Sequence, residues 1–322
     1  MHYAIGVDIG GSSAKLGVVS QTGKILRRHR LPTPNFDQPT RIADAYAEAV
    51  KIAVNHCRDA GIQPAGIGVG MPGHISPDRR SATLTNVQIL DNFPLADFLS
   101  QRFDLPVELD NDGTLAALAE YRYGGGQNSS RLLTVTIGTG LGVGLVVNGQ
   151  AQRPVRGCIG DPGHMIVEPD SPWVCGLGCR GCLETVASSL AIEREATAIA
   201  HRFPDSELAR LSAPGGGAVT TAQVIDAAHQ GDALARDVLD KTGRWLGIGL
   251  TSWCYFFDPH LVLIGGGVSA AGEFLLTGIR QMIKERALPA YASRVQIGLA
   301  QLGNDAGLIG AASLFLDRHR EE

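Results

Sequence analysis

Val7-Asp8-Ile9-Gly10-Gly11-Ser12-Ser13-Ala14-Lys15-Leu16-Gly17-Val18-Val19 reads as two apolar strands joined by a tight turn of glycine and hydroxyl residues. The pattern returns at Thr136-Ile137-Gly138-Thr139-Gly140-Leu141-Gly142-Val143-Gly144-Leu145-Val146-Val147. Such turns leave backbone N–H groups unpaired, and glycine lets an anion approach the main chain. Two facing turns suit one polyphosphate gripped between two lobes, which points to phosphoryl transfer.

Outward from the first turn, the spacing predicts strands at 3–9, 14–20 and 24–31 and a helix near 40–60. That helix carries Ile42, Tyr46, Ala49, Val50, Ala53 and Cys57 on one face, with Thr40 as N-cap and Gly61 as its stop. A strand at 65–71, a short helix near 94–103, a strand at 106–109 and a helix from 112 to 123 follow. Around the second turn the order repeats, with strands at 131–137, 142–148 and 151–156 and a loop-rich insert to about 183. Helices near 184–200, 221–229 and 232–256, a strand at 260–264, a helix near 270–287, a strand near 294–298 and a helix at 306–317 complete the chain. This repetition predicts two α/β lobes of one topology. The first is residues 1–123, completed by the helix at 306–322; the second is 124–305 with a loop at 160–184. The break falls at the glycine and serine stretch 124–130.

The 322 residues suffice for two ordinary domains, and 44% hydrophobic with 19% charged residues is the balance of a soluble protein. Forty-one glycines, about 13% against roughly 7% on average, cluster in turns and so read as ligand loops. A formal net charge of −4 argues against nucleic-acid binding, and the basic run Arg27-Arg28-His29-Arg30 reads as a solvated face. No signal peptide or membrane-spanning stretch is expected, which points to the cytoplasm. Six cysteines do not make a disulfide framework in a chain this long.

Four clusters carry chemistry. Asp8 ends a strand beside a phosphate turn, where a carboxylate is unfavourable unless a cation such as Mg²⁺ lies between; the alternative is an Asx turn. Asp110-Asn111-Asp112 sits at a strand-to-helix junction, where it caps the helix or where Asn111 orients a hydroxyl and Asp112 takes its proton. His164 with Cys175, Cys179 and Cys182 matches a closed tetrahedral Zn²⁺ site, against three reduced thiols in a loop. Gly265-Gly266-Gly267 after Leu261-Val262-Leu263-Ile264 passes under an adenine and ribose or is a plain β–α turn. Cys57, Cys158 and Cys254 lie in apolar contexts and read as core.

With these residues in place, the chain resembles the ROK family of sugar kinases, within the actin-like ATPase (ribonuclease H-like) superfamily that includes hexokinases. The marks are Asp8-Ile-Gly-Gly-Ser12, Asp110-Asn111-Asp112, Ile137-Gly-Thr-Gly140, Gly163-His164, the cysteine loop ending in Leu183-Glu184, and Gly265-Gly-Gly267. The resemblance implies two actin-like lobes with a cleft between them, ATP and Mg²⁺ as phosphoryl source, a structural zinc and a homodimer. It implies that Gly10, Gly11, Ser12, Gly138, Thr139 and Gly140 hold phosphates, with Asp8 on the metal side and Gly266 and Gly267 near adenosine. Asp112 would be the base for the sugar 6-hydroxyl, and Asn86, Asn111, Asp161, His164 and Glu184 would bind sugar hydroxyls. Glucose is the expected substrate; N-acetylmannosamine, N-acetylglucosamine, fructose and allose are the alternatives. A sugar-responsive regulator is the alternative class, disfavoured because no N-terminal helix-turn-helix precedes Tyr3. Three departures stand out. Leu177 occupies the usual middle cysteine position, with Cys179 two places later; Asp161 replaces the usual Glu; and Ser12 replaces the usual Thr.

Overall fold

The computed structural model describes residues 1–11, 13–83, 90–153, 159–212 and 217–316. Strands β1 (Tyr3–Ile9), β2 (Ser13–Ser20) and β3 (Ile25–Pro32) precede α1 (Pro39–Asp59) and β4 (Ile67–Met71). The short hairpin β5 (His74–Ile75) and β6 (Ala82–Thr83), α2 (Leu95–Phe103), β7 (Val107–Asn111) and α3 (Asp112–Tyr123) follow. Next come β8 (Arg131–Ile137), β9 (Leu141–Val147) and β10 (Gln150–Ala151), then α4 (Leu183–Ala187), α5 (Ser189–Arg202), α6 (Glu207–Leu211), α7 (Thr221–Gln230) and α8 (Ala233–Phe257). The last elements are β11 (Leu261–Gly265), α9 (Glu273–Arg286), α10 (Pro289–Ala292), β12 (Gln296–Leu299) and α11 (Ala306–Leu316).

Two five-stranded sheets have the orders β3-β2-β1-β4-β7 and β10-β9-β8-β11-β12, so one α/β topology is used twice, as the repeated pattern predicts. Tight turns make β1, β2 and β3 antiparallel, while helical crossovers bring β4 and β7 back parallel to β1. The chain divides into two compact units. One comprises Met1–Asn128, Gly144–Gly160 and Asn304–Glu322; the other comprises Ser129–Val143 and Asp161–Gly303. Gly144–Gly160 groups with the first unit for a visible reason. A Cβ at Gly144 would strike the Gly113 carbonyl of α3, and Arg153 pairs with Asp110.

Several local expectations are corrected. Helix α1 starts one residue early, with Pro39 in its first turn and Gln38 as an N-cap that makes no side-chain bond, so Thr40 is not the cap. Its buried face is the expected one, and Gly61 follows its end at φ +65°. The helix expected at 184–200 is two helices, because Ser188 is extended and caps the second through Ala191 N–H. The hairpin β5–β6 and helix α6 carry too few residues to show a period. The strand expected at 151–156 is seen as β10, which ends at Ala151; residues 154–158, Cys158 among them, lie outside the described residues. Arg27, Arg28 and Arg30 are exposed on β3, as a solvated face requires. Cys57 and Cys254 are buried.

Helix α11 lies against the first sheet and is buried along its length. The approach is close enough that only glycine fits beneath it: a Cβ at Gly68 would overlap the Ala311 carbonyl, and one at Gly6 that of Leu308. Backbone, unlike a side-chain tip, cannot swing aside. Gly68→Ala should therefore lower the unfolding free energy by about 3 kcal/mol, read from urea midpoints; a change within about 0.5 kcal/mol would mean that α11 docks more loosely than this.

Candidate active site

The parallel register of β1, β4 and β7 sets Asp8 beside Gly70 and Gly70 beside Asp110, so the strand ends bring their acidic residues to one edge of the first sheet. The antiparallel register of β1 and β2 sets Lys15 opposite Asp8. Lys15 Nζ lies 3.4 Å from Asp8 Oδ2 and donates to the Asn304 carbonyl at 2.9 Å. On another side, Asp8 rests against Gly307 at the start of α11, where a Cβ would lie 2.6–2.7 Å from the carboxylate.

Asp112 opens α3 and accepts the Gly113 N–H at 2.8 Å. Burial pushes its carboxyl up to about 6, and the charge of Asp8 adds to the rise, while the Gly113 N–H opposes it. Asp8 is also raised by burial, against the pull of Lys15. The two acids thus share a poorly solvated recess, the setting in which a carboxylate becomes a base matched to neutral pH.

Asn111 is the cap of α3. Its Oδ1 accepts from Thr114 N–H at 3.0 Å and faces Thr114 Oγ1 at 3.3 Å, and its Nδ2 donates to the Gly73 carbonyl at 3.1 Å. Among the described residues, its second Nδ2 hydrogen has no partner. Asp110 is structural: nearly solvent-free, it takes Arg153 Nε and Nη2 at 2.7 Å each, with Arg79 at 4.0 Å. Sequence reading missed Lys15 and Arg153. The hairpin register alone could have found Lys15, since the residue seven positions after Asp8 pairs with it across the turn; nothing local marks Arg153.

In the first turn the Gly10 N–H donates to the Ser13 carbonyl at 3.0 Å, leaving Gly11 exposed at the tip. Ser12 and Asn86 lie outside the described residues. In the second turn the Gly138 N–H donates to the Gly140 carbonyl at 3.0 Å, and Thr139 is exposed. A side chain at Gly140 would run into the Glu184 carboxylate, whose Oε2 accepts the Leu141 N–H at 3.0 Å. Glu184 is thus fixed against the turn by α4. The register of β8 and β11 sets Gly265 beside Thr136, and Gly266, at φ +79°, has no room for a Cβ against Ile137. Gly267 is open.

Asp161 precedes the single 3₁₀ turn that carries His164. His164 Nδ1 stands 3.6 Å from Cys175 Sγ and 3.8 Å from Cys182 Sγ, and the three ligand atoms lie within 4.8 Å of one another. A tetrahedral zinc separates nitrogen and sulfur ligands by about 3.6 Å, so these residues fit zinc. Burial pushes the Cys182 thiol up to about 11, with its neighbours Cys175 and Glu184 adding to the rise. Cys179 is outside this cluster of three but beside Cys175, in a loop closed by Cys175 N–H to the Cys179 carbonyl at 2.9 Å and turned by Gly178 and Gly181 at positive φ.

A family model described as the ROK family matches residues 4–318. A glucokinase of Halalkalibacterium halodurans is 37% identical, over 97% of this chain and 94% of its own length. A glucokinase of Streptomyces coelicolor is 34% identical, over 98% of each. A ROK family glucokinase from Streptomyces griseus, solved in complex with glucose and AMPPNP, matches the fold with a TM-score of 0.86 at 34% identity, covering 98% of this chain and 99% of that one.

The recess generates its own test. In a carboxyl NMR titration Asp112 should have its midpoint near 6, against about 4 for an ordinary aspartate. Asp8→Asn removes a neighbouring negative charge and should bring that midpoint down. An Asp112 midpoint near 4 in the unaltered protein, or one indifferent to Asp8→Asn, would contradict the coupling.

Proposed function

Because the chain belongs to the ROK family, we propose that it is an ATP-dependent hexose kinase whose substrate is glucose, phosphorylated at the 6-hydroxyl. The observation that carries this reading is the strand register that brings Asp8, at the foot of the first glycine turn, and the Asp110–Asp112 segment to the same sheet edge, with burial and Asp8 raising the Asp112 carboxyl. The full-length likeness to glucokinases supports it.

In this reading Asp112 accepts the proton of the 6-hydroxyl as the phosphoryl group transfers. A base near 6 is ionised at neutral pH yet still basic enough to take a proton. Asn111, through its spare Nδ2 hydrogen, and Asn86, Asp161, His164 and Glu184 bind the other hydroxyls. Glu184 keeps one oxygen for this, the other being held by Leu141. Amides of Gly11 and Ser12 and of Thr139 and Gly140 hold phosphate oxygens, while the Gly10 and Gly138 amides, expected among them, close their own turns instead; Gly266 and Gly267 lie under the adenosine. Asp8 would hold Mg²⁺: burial disfavours its charge and Lys15 offsets that in part, and a bound cation would favour the carboxylate further and neutralise phosphate charge. The protein's share of phosphoryl transfer is then positioning and charge.

The cysteine loop is read as a structural zinc site, with His164, Cys175 and Cys182 as ligands and Cys179 as the fourth. Nδ1 is the ring nitrogen turned to the Cys175 and Cys182 sulfurs and would hold the metal, which would leave Nε2 for a sugar hydroxyl. A homodimer in the cytoplasm is the assembly and location this reading expects; no helix among the described residues is long and apolar enough to cross a membrane.

ADP release over a panel of glucose, fructose, allose, N-acetylglucosamine and N-acetylmannosamine tests the substrate. Glucose should give the highest kcat/KM, and preference for an amino sugar would move the specificity to that class. Metal analysis tests the loop. The purified protein should carry about one zinc per chain, the four ligands of a closed site, and Cys182→Ser and Cys179→Ser should lose it and melt earlier. Unchanged metal content in both variants would end the zinc assignment.

A further inference from the structure

The carbonyl of each leading turn glycine is tied down from behind. Thr33 Oγ1 donates to the Gly10 carbonyl at 2.7 Å. In the second turn the Ser189 N–H donates to the Gly138 carbonyl, also at 2.7 Å. Ser189 can do so because the helix breaks at Ser188, so its amide opens α5 and has no partner within the helix.

A trans peptide is planar, with its C=O and the following N–H pointing in opposite directions. Fixing the Gly10 oxygen therefore fixes the Gly11 N–H to face away from Thr33, and fixing the Gly138 oxygen does the same for the Thr139 N–H. Without such a tether, a glycine peptide is free to turn over, since glycine accepts both signs of φ. Thr33 follows β3 in Pro32-Thr33-Pro34, outside every motif of the sequence. Behind it stands Tyr46 of α1, whose side chain is wholly buried and whose hydroxyl adjoins Thr33. Burial pushes that phenol up to about 12, so it keeps its proton at any working pH.

We propose that Thr33 is a positioning residue for the nucleotide: its hydroxyl holds the Gly10–Gly11 peptide so that the Gly11 N–H is aimed at a phosphate oxygen. The tether between Ser189 and Gly138 is the counterpart in the second turn. The proposal rests on the reading of these turns as phosphate sites. Thr33 touches no substrate; it acts through one peptide plane, so its loss weakens nucleotide binding and leaves sugar binding alone.

The test compares wild type, Thr33→Val and Thr33→Ser. Valine keeps the shape and removes the donor, and serine keeps the donor. The readouts are the Kd of AMPPNP by calorimetry, KM for ATP and for glucose, and the melting temperature. Thr33→Val should weaken AMPPNP binding and raise KM for ATP by about 5- to 20-fold, the span of one lost hydrogen bond. KM for glucose should stay within two-fold, and Thr33→Ser should behave as wild type. An unchanged Kd in Thr33→Val, or a loss shared equally by both substrates, overturns the proposal while wild-type turnover leaves the kinase reading standing. A wild type that binds no AMPPNP overturns both. Should Thr33→Val fail to fold, wild-type hydrogen exchange decides: AMPPNP should slow exchange of the Gly11 amide, and an indifferent amide overturns the proposal.

Discussion

Two carboxylates placed side by side where water is scarce are the constraint on which the first unit turns. Parallel pairing of β1, β4 and β7 brings Asp8 and the Asp110–Asp112 segment to the same sheet edge. Burial raises both acids, and the charge of Asp8 adds to the rise at Asp112. Much of the surrounding structure answers that cost. Lys15 crosses from β2 to Asp8, Gly307 leaves room for the carboxylate at the start of α11, and Arg153 takes the full charge of Asp110. With Asp110 paired to Arg153 and the Oδ1 of Asn111 engaged in capping α3, Asp112 is left with backbone N–H partners and a raised carboxyl.

The second unit solves a different problem, the fixing of loops that must present polar atoms. Glu184 is held by the Leu141 amide, the second turn is backed by the first amide of α5, and Gly266 presses on the end of β8. The cysteine loop is pinned where Leu183 N–H meets the Met165 carbonyl at 2.9 Å, one residue before Glu184. A metal at His164, Cys175 and Cys182 would stiffen the segment that delivers Glu184.

The duplicated fold was legible because period-two strands and glycine turns are local patterns, and they occur twice in the same order. As candidates, Asp8 and Asp112 stood out because each sits where a strand meets a turn or a helix, whereas His164 and Glu184 stood out through the cysteine loop and the family resemblance. Partners distant in sequence were not legible. Arg153 reaches Asp110 across 43 residues, Thr33 reaches Gly10 across 23, and Ser189 reaches Gly138 only because the helix expected at 184–200 breaks. Thr40 misled because a proline one position earlier starts the helix by fixing φ, without a side-chain cap. Cys179 shows how spacing counts ligands without placing them: the loop closed by the Cys175 N–H sets it next to Cys175 and outside the three-atom cluster.

The central claim is that Asp112 takes the proton of the attacking hydroxyl. It is tested most directly by single-turnover phosphoryl transfer in Asp112→Asn at saturating ATP and glucose. The rate should fall by about 10²- to 10⁴-fold, with glucose affinity within a few-fold of wild type. A variant that transfers the phosphoryl group at close to the wild-type rate would contradict the assignment of Asp112 as base.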